Sequence, residues 1–393
     1  MEFEWWWLLA LPLFFALGWV AARIDIKHLL SESRSIPESY FKGLNFLLNQ
    51  QQDKAIEAFI EVVKVDTQTV ELHFALGGLF RRRGEVERAI RMHENILERS
   101  HLAASQRLAA LFELAQDYFK AGLLDRAEEL FNKLRGSDYE KNALAFLLDI
   151  YQQEKDWLQA IATARELGKI SEQPRTKETA HFYCERAMAD ITHSRPDDAR
   201  ENLARALAEN KKCARANVLL GDMDAANGHH EAALAAWKRV ETQSAAHLAL
   251  VAERVLQSYR QTGKLHEGVT LLKGYLANAP SLDILNALFQ AVLETEGSEA
   301  AYYLLRDAVR RNPTLLGLDK LLEIQMTASD LSADRRHDLE LVKKLVHHHA
   351  SGLAMYRCED CGFRARQFYW HCPACGGWDS YSPKRIEEKE ATP

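Results

Sequence analysis

The sequence predicts an all-α chain: a superhelical solenoid of repeated helix pairs, with an apolar helix at its N-terminus and a small cysteine-bearing ribbon near its C-terminus. Three observations predict it. A small residue returns at nearly one period, as Ala55, Ala89, Ala127, Ala160, Ala199, Ala233, Gly268 and Ala300, in steps of 32 to 39 residues. An aromatic precedes it by about nine residues (Phe46, Phe80, Tyr118, Tyr151, Tyr259), and a bulky residue follows it by four (Phe59, His93, Phe131, Leu203, Trp237, Leu272, Leu304). Two apolar stripes of this kind, repeated, are what stacked helix-turn-helix units produce. The third observation is the pair of unlike ends, an uncharged run from Trp5 to Ala22 and four closely spaced cysteines after residue 357.

The first element is the uncharged run. As a helix it is about 27 Å long, enough for the hydrocarbon layer of a bilayer. Trp5, Trp6 and Trp7 at one end and Trp19 near the other suit the membrane interface. Glu2 and Glu4 precede it, whereas Arg23, Lys27 and His28 follow it. The charge bias puts the short N-terminus outside, in the periplasm, and the body in the cytoplasm. A cleaved signal peptide would need a basic leading region and a small-residue cleavage site, and neither is present. Residues 1–22 are therefore expected as a transmembrane anchor and 23–37 as a juxtamembrane linker.

The repeats follow over residues 38–313, about eight of them. Gly43, Gly77, Ala115, Ala187 and Gly221, twelve residues before the recurring small residue, leave room for the two helices of a pair to approach closely. The longer steps before Ala127 and Ala199, with Pro174 and Pro196 in the second, imply a loosened turn or longer helix ends. The pattern resembles the tetratricopeptide repeat (TPR). That resemblance implies a concave face, lined by the first helix of each pair, that grips other polypeptides. Arg81 and Arg82, followed by Arg83, end such a first helix, and Phe119, Lys120, Arg260, Tyr40 and Phe74 fall in comparable register. Two readings fit the arginines: a clamp for an acidic partner segment, or a basic helix end before Gly84 that satisfies the dipole.

Composition narrows the function. A net charge of −6 and an isoelectric point near 6.2 give no general attraction to nucleic acid. No glycine-rich phosphate loop, nucleophile elbow or HExxH is present, so the chain is expected not to be an enzyme and has no candidate catalytic residue. Residues 314–352 read as a helical connector, whose charged helix begins near Ser332 and ends at His347, His348 and His349, where histidines complement a C-terminus.

Six cysteines are of two kinds. Cys184 and Cys213 stand alone in helical repeats and read as small buried hydrophobes. Cys358, Cys361, Cys372 and Cys375 form two CxxCG knuckles ten residues apart. In a reducing cytoplasm this pattern favours four thiolates on a metal over two disulfides. Phe363, Phe368, Tyr369 and Trp370 between the pairs suggest a short strand or two, and His371 reads as a neighbour of the site, not a ligand. The segment 353–381 resembles a rubredoxin-type zinc ribbon, with a charged tail at 382–393. Four thiolates leave no open position, which favours one structural zinc; iron, which suits the same ligands, is the alternative.

The order of the parts, anchor followed by Arg23, cytoplasmic TPRs and a terminal ribbon ending in CPxCGxW, resembles the lipopolysaccharide assembly protein B family (LapB, also called YciM) of Gram-negative bacteria. The likeness covers nearly the whole chain. It implies an inner-membrane regulator of lipopolysaccharide biosynthesis, an adaptor that presents the lipid A deacetylase LpxC to the membrane protease FtsH and meets an inner-membrane lipopolysaccharide sensor. A generic membrane-tethered TPR scaffold for envelope or secretion assembly, and an iron-containing electron-transfer protein, are the two other classes the residues allow.

Overall fold

The computed structural model describes residues 38–65, 70–326 and 332–390, together with Pro12, Phe15, Ala16 and Trp19. Most of the predicted span and the linker lie outside the described residues. Among the described residues no helix is long and apolar enough to cross a membrane.

The protein is mostly helical, a TPR-like solenoid followed by a ribbon. Its helices alternate as first and second members of pairs: α1 (Glu38–Leu48), α2 (Gln52–Val65), α3 (Val70–Arg83), α4 (Val86–Leu97), α5 (Ala104–Lys120), α6 (Leu124–Lys133) and α7 (Glu140–Glu154). They continue as α8 (Trp157–Ile170), α9 (Thr176–Thr192), α10 (Pro196–Glu209), α11 (Ala214–Ala226), α12 (His230–Gln243), a 3-10 segment (Ala245–Leu250), α13 (Ala252–Gln261) and α14 (Leu265–Asn278). Then come α15 (Leu282–Thr295), α16 (Ser298–Arg311), α17 (Leu315–Met326) and α18 (Ala333–Ala350). The ribbon contains β1 (Tyr356–Arg357) and β2 (Arg364–Ala365), and α19 (Ile386–Glu390) closes the described chain. Two compact units divide at residue 150, Met1–Ile150 and Tyr151–Pro393.

The recurring small residue is the packing centre of each pair. Ala55, Ala89, Ala127, Ala160, Ala199 and Ala233 are all fully buried, and Phe59, His93, Phe131, Leu203 and Trp237 four residues on are buried with them. In the last pair the register differs by one from the sequence expectation: Ala301 and Leu305 are fully buried, while Ala300 and Leu304 only flank the core. Since α16 starts at Ser298, its first buried turn falls one residue later.

The glycines twelve residues upstream act differently from expectation. They make room for the bulky side chain of the second helix, not for a bare backbone contact. A Cβ on Gly43 would lie 2.8 Å from the Phe59 ring, one on Gly77 2.4 Å from His93 Nε2, and one on Gly221 2.3 Å from Trp237 Nε1. Trp237 then donates its indole N–H to Val218 O at 3.2 Å. Gly268, the glycine that stands where alanine recurs, is needed because the Tyr259 ring would be 2.9 Å from its Cβ. The two long steps in the period arise from α5 and α9, each of 17 residues, with Pro196 at the start of α10. Turns within pairs use the left-handed region, with Gly84 at φ +87 but Lys155 and Ser194 at +59 and +58.

Adjacent glycines in α3 give a test of this packing. Gly77→Ala should cost about 1–3 kcal/mol, because His93 is held from its other side and cannot retreat. Gly78→Ala meets no atom within 4 Å. It should stabilise by about 0.5–1 kcal/mol through helix propensity. Urea denaturation of the two variants should move in opposite directions; equal shifts would refute the packing account.

Candidate metal centre and its seat on the repeats

Each CxxCG knuckle is closed by its own backbone. Cys358 N donates to Phe363 O at 2.9 Å and Gly362 N to Cys358 O at 3.1 Å; Cys372 N donates to Gly377 O at 2.8 Å and Gly376 N to Cys372 O at 2.9 Å. Gly362 and Gly376 have φ of +77 and +71, a conformation that glycine adopts without strain. β1 and β2 pair antiparallel, with Tyr356 opposite Ala365, and isolated bridges join Cys358 to Tyr381 and His371 to Trp378. The strands thus flank the first knuckle, and the aromatics from Phe368 to Trp370 form no strand.

The four sulfurs lie within 4.8 Å of one another, with Cys358 Sγ 3.8 Å from Cys375 Sγ and Cys361 Sγ 3.7 Å from Cys372 Sγ. A tetrahedral metal with bonds of about 2.3 Å to sulfur requires edges of about 3.8 Å, whereas a disulfide requires about 2.0 Å. The donor set therefore fits a tetrathiolate metal. Its protonation chemistry points the same way. Burial opposes ionisation of Cys358, yet Ser380 Oγ and the amides of Asp360 and Cys361 lower it to about 6. The Gly377 amide favours the Cys375 thiolate, but desolvation and the neighbouring sulfurs push that thiol up to about 12. Thiolates this close repel one another, and a bound cation would offset that repulsion.

The ribbon does not stand apart from the repeats. Trp378, just after the second knuckle, donates its indole N–H to Gln152 Oε1 of α7 at 2.7 Å. Its ring stacks with His371 at 4.2 Å and with His181 of α9 at 5.3 Å, and meets Phe182 and Trp157 edge-on at 5.6 and 6.2 Å. Trp370 stacks on His247 of the 3-10 segment at 5.1 Å, with Phe368 edge-on to both. Asp379 Oδ1 lies 3.6 Å from His247 Nε2.

A second set of contacts ties down the chain after the ribbon. Arg385 donates to both carboxylate oxygens of Asp283 in α15 at 3.1 and 2.8 Å, lies 4.0 Å over the Tyr356 ring and donates to Ala354 O at 2.5 Å. Tyr356 donates its hydroxyl to the same Asp283 at 2.9 Å. Glu388 accepts from Leu282 N at 2.7 Å, at the start of α15; Glu387 accepts from Leu315 N and, at 3.0 Å, from Leu316 N, at the start of α17. Carboxylates there satisfy orphan amides and complement the helix dipoles. Most of the ribbon's seat, α7, α9, the 3-10 segment, α15 and α17, belongs to the first-helix side of the pairs.

The candidate groove residues are placed unevenly. Arg81 is half-buried and bonded to α5, with Asp117 Oδ1 at 2.7 Å and Glu113 Oε2 at 2.6 Å. Asp117 in turn meets buried His93 Nδ1 at 2.5 Å. The guanidinium of Arg81 is thus compensated inside the first unit. Arg82 and Lys120 are exposed, and Phe119 packs edge-on against Phe146 at 5.4 Å. Arg260, in the second unit, is exposed and pairs with Glu294 at 2.6 Å. The Tyr40 side chain is outside the described set. Two cysteines read as solitary are neighbours: Cys184 Sγ and Cys213 Sγ are buried 3.9 Å apart. His347 pairs with Asp319 at 3.0 Å at the end of α18. The seat residues Gln152, Trp157, His181, His247 and Asp283 carried no signal in the sequence; the two tryptophans of so small a ribbon were the available hint.

Residues 356–383 match the rubredoxin metal binding domain family, and residues 184–247 match the tetratricopeptide repeat family. Lipopolysaccharide assembly protein B of Escherichia coli (strain K12) is 35% identical over 379 residues, 96% of this chain and 97% of that protein. Lipopolysaccharide assembly protein B of Haemophilus influenzae (strain ATCC 51907 / DSM 11121 / KW20 / Rd) is 29% identical over 392 residues, 97% and 98% of the two chains. Among solved structures, that of Naa15/Naa10 bound to HypK-THB aligns with a TM-score of 0.41 at 13% identity, over 80% of this chain and 47% of that one.

Two expected outcomes separate the metal from its seat. Cys375→Ser should lose bound metal and leave the chain after about residue 350 protease-sensitive while the helices persist, since metal binding supplies about 10 kcal/mol or more to small modules. Trp378→Ala should keep the metal yet loosen the ribbon, at a cost of about 3–5 kcal/mol; retained protease resistance in that variant would refute the seat. The seat should also be pH-dependent. Burial, then Arg215, lowers His181 from 6.5 to about 4, so its contribution is complete above pH 6.5 and is lost as the pH falls toward 4. Limited proteolysis across that window, with metal content followed in parallel, should show ribbon release that His181→Phe flattens.

Proposed function

The chain belongs to the lipopolysaccharide assembly protein B family, and on that premise we propose that it is a non-catalytic adaptor, anchored in the inner membrane with its body in the cytoplasm, that regulates lipopolysaccharide biosynthesis by presenting the lipid A deacetylase LpxC to the FtsH protease. The observation that carries this reading is the similarity over nearly the whole chain, from the apolar N-terminus to the ribbon. Residues 1–22 form the anchor, residues 38–313 bind polypeptides, and an inner-membrane lipopolysaccharide sensor is a further partner. Cys358, Cys361, Cys372 and Cys375 hold one structural zinc, which cross-links the two knuckles and takes no part in chemistry.

The mechanism needs no catalytic group. Tethering adaptor and protease in one bilayer raises their effective concentration, so weak contacts suffice to bring a substrate to the protease. The docking of the ribbon supports a division of labour in which repeats and ribbon move as one piece in the second unit.

The test is the half-life of the deacetylase in cells. Deleting residues 1–22 should leave a folded protein but lengthen that half-life several-fold, about the loss expected when an effective concentration is removed. A heterologous single-span anchor should restore turnover. An unchanged half-life in the deletion strain would eliminate the adaptor reading. Purified full-length protein should be colourless and carry stoichiometric zinc; a coloured, redox-active iron centre would overturn the structural role of the metal.

A further inference from the structure

Cys184 and Cys213 are the two thiols that the metal centre does not use. Their sulfurs lie 3.9 Å apart, in contact but unbonded, and both side chains are buried. Cys184 sits in the middle of α9, whereas Cys213 ends the turn after α10 and caps α11, its amide donating to Asn210 O at 3.0 Å. A disulfide needs about 2.0 Å between sulfurs, so the pair must close by about 2 Å. A turn residue can take up that movement where a residue in mid-helix cannot. Cys213 also keeps 4% exposure against 0% for Cys184, so a small reagent meets Cys213 first.

The surroundings favour one thiolate bonded to one thiol. The hydrogen bond from Cys184 lowers the Cys213 pKa; burial opposes it, and the Ala216 amide and the Arg215 guanidinium lower it further, with Asp379 acting weakly against them. The bond to that sulfur raises Cys184 well above the ordinary thiol range, and burial adds to the rise. Arg215 is itself buried. Its Nη2 pairs with Glu185 at 2.7 Å, while its Nη1 has no partner among the described residues. A buried cation with an unused donor, two residues after Cys213, stabilises a thiolate there.

The same two elements carry part of the ribbon's seat. His181, one turn before Cys184 on α9, stacks on Trp378 at 5.3 Å, and the Arg215 guanidinium of α11 is 5.9 Å from the same ring. We propose that Cys184 and Cys213 are a peroxide-oxidised dithiol, closing to a reversible disulfide that locks α9 to the start of α11 and tightens their grip on Trp378. The Cys213 thiolate attacks one peroxide oxygen, the O–O bond breaks, and hydroxide leaves and is protonated to water, giving a sulfenic acid. The Cys184 sulfur then attacks that sulfur, the S–O bond breaks and a second water leaves with the Cys184 proton. Two thiols have lost two electrons and two protons, and the peroxide has become two waters. A dithiol reductant restores the pair by exchange. In a reducing compartment such a bond is transient, which suits a sensor. The proposal stands apart from the adaptor reading and from the identity of the metal.

For the test, the detergent-solubilised full chain, reduced and metal-loaded, is treated with hydrogen peroxide and its remaining thiols are alkylated. Trypsin separates Cys184 (residues 178–186) from Cys213 (residues 213–215), and both from the two knuckles. Mass spectrometry should find these two peptides joined, and dithiothreitol should part them. Cys184→Ala should leave Cys213 as a sulfenic acid that dimedone captures, and Cys213→Ser should slow oxidation of Cys184 by about tenfold or more. The wild-type peptide map decides the pairing even if a variant fails to fold, which helix content reports. At equal metal content, protease should release the ribbon several-fold more slowly from the oxidised protein than from the reduced one. Three results would each overturn the proposal: both cysteines still alkylatable after the ribbon thiols have oxidised, Cys213 joined to Cys213 of a second chain, or ribbon release unchanged by the disulfide.

Discussion

A ribbon of about thirty residues cannot bury a sufficient core of its own, and that shortage governs the second unit of this protein. The ribbon's interior is little more than Tyr356, Cys358, Cys372 and Tyr381, with Ala365, Phe368 and Tyr369 against them. A metal would supply the cross-link that such a core lacks. It would not cover Trp370 and Trp378, whose large apolar faces must go somewhere, and the repeats provide the place. Stacking on His181 and His247 keeps each indole against a flat partner, and Gln152 satisfies the one polar atom of Trp378 that burial would otherwise strand.

The dependence runs in both directions. Helices α15 and α17 begin with amides that have no partner within their own turns, and the carboxylates of Glu388 and Glu387 reach them from the far end of the chain. Residues that look like a charged, solvated tail are thus the caps of two solenoid helices. Burial raises the Glu388 carboxyl while the Arg385 and Leu282 amides act against that rise, so the contact is held by directed hydrogen bonds within a desolvated site. Arg385 joins α15, the start of the ribbon and the tail around a single carboxylate, Asp283.

In the first unit the same economy of polar groups draws Arg81 partly in from the surface. Its neighbours Glu113 and Asp117 already compensate it, and Asp117 is buried with His93 beneath the space that Gly77 leaves. A charged residue at the end of a first helix is therefore no sign of a binding clamp by itself.

Local spacing was enough to read the repeats and the metal ligands. The small residue, the aromatic before it and the bulky residue after it interact across one helix pair, so their order along the chain records their packing. The two CxxCG knuckles likewise close through bonds between residues at most five apart. Where the sequence misjudged, the deciding contact lay elsewhere: Ala301, not Ala300, is buried because of where α16 begins, and Cys184 meets Cys213 at the N-cap of the next first helix. The seat of the ribbon was decided only by tertiary structure. Trp378 and Gln152 are separated by 226 residues, and no periodicity links them. Their contact follows from how successive first helices line up in space, which a pattern read over one repeat does not contain.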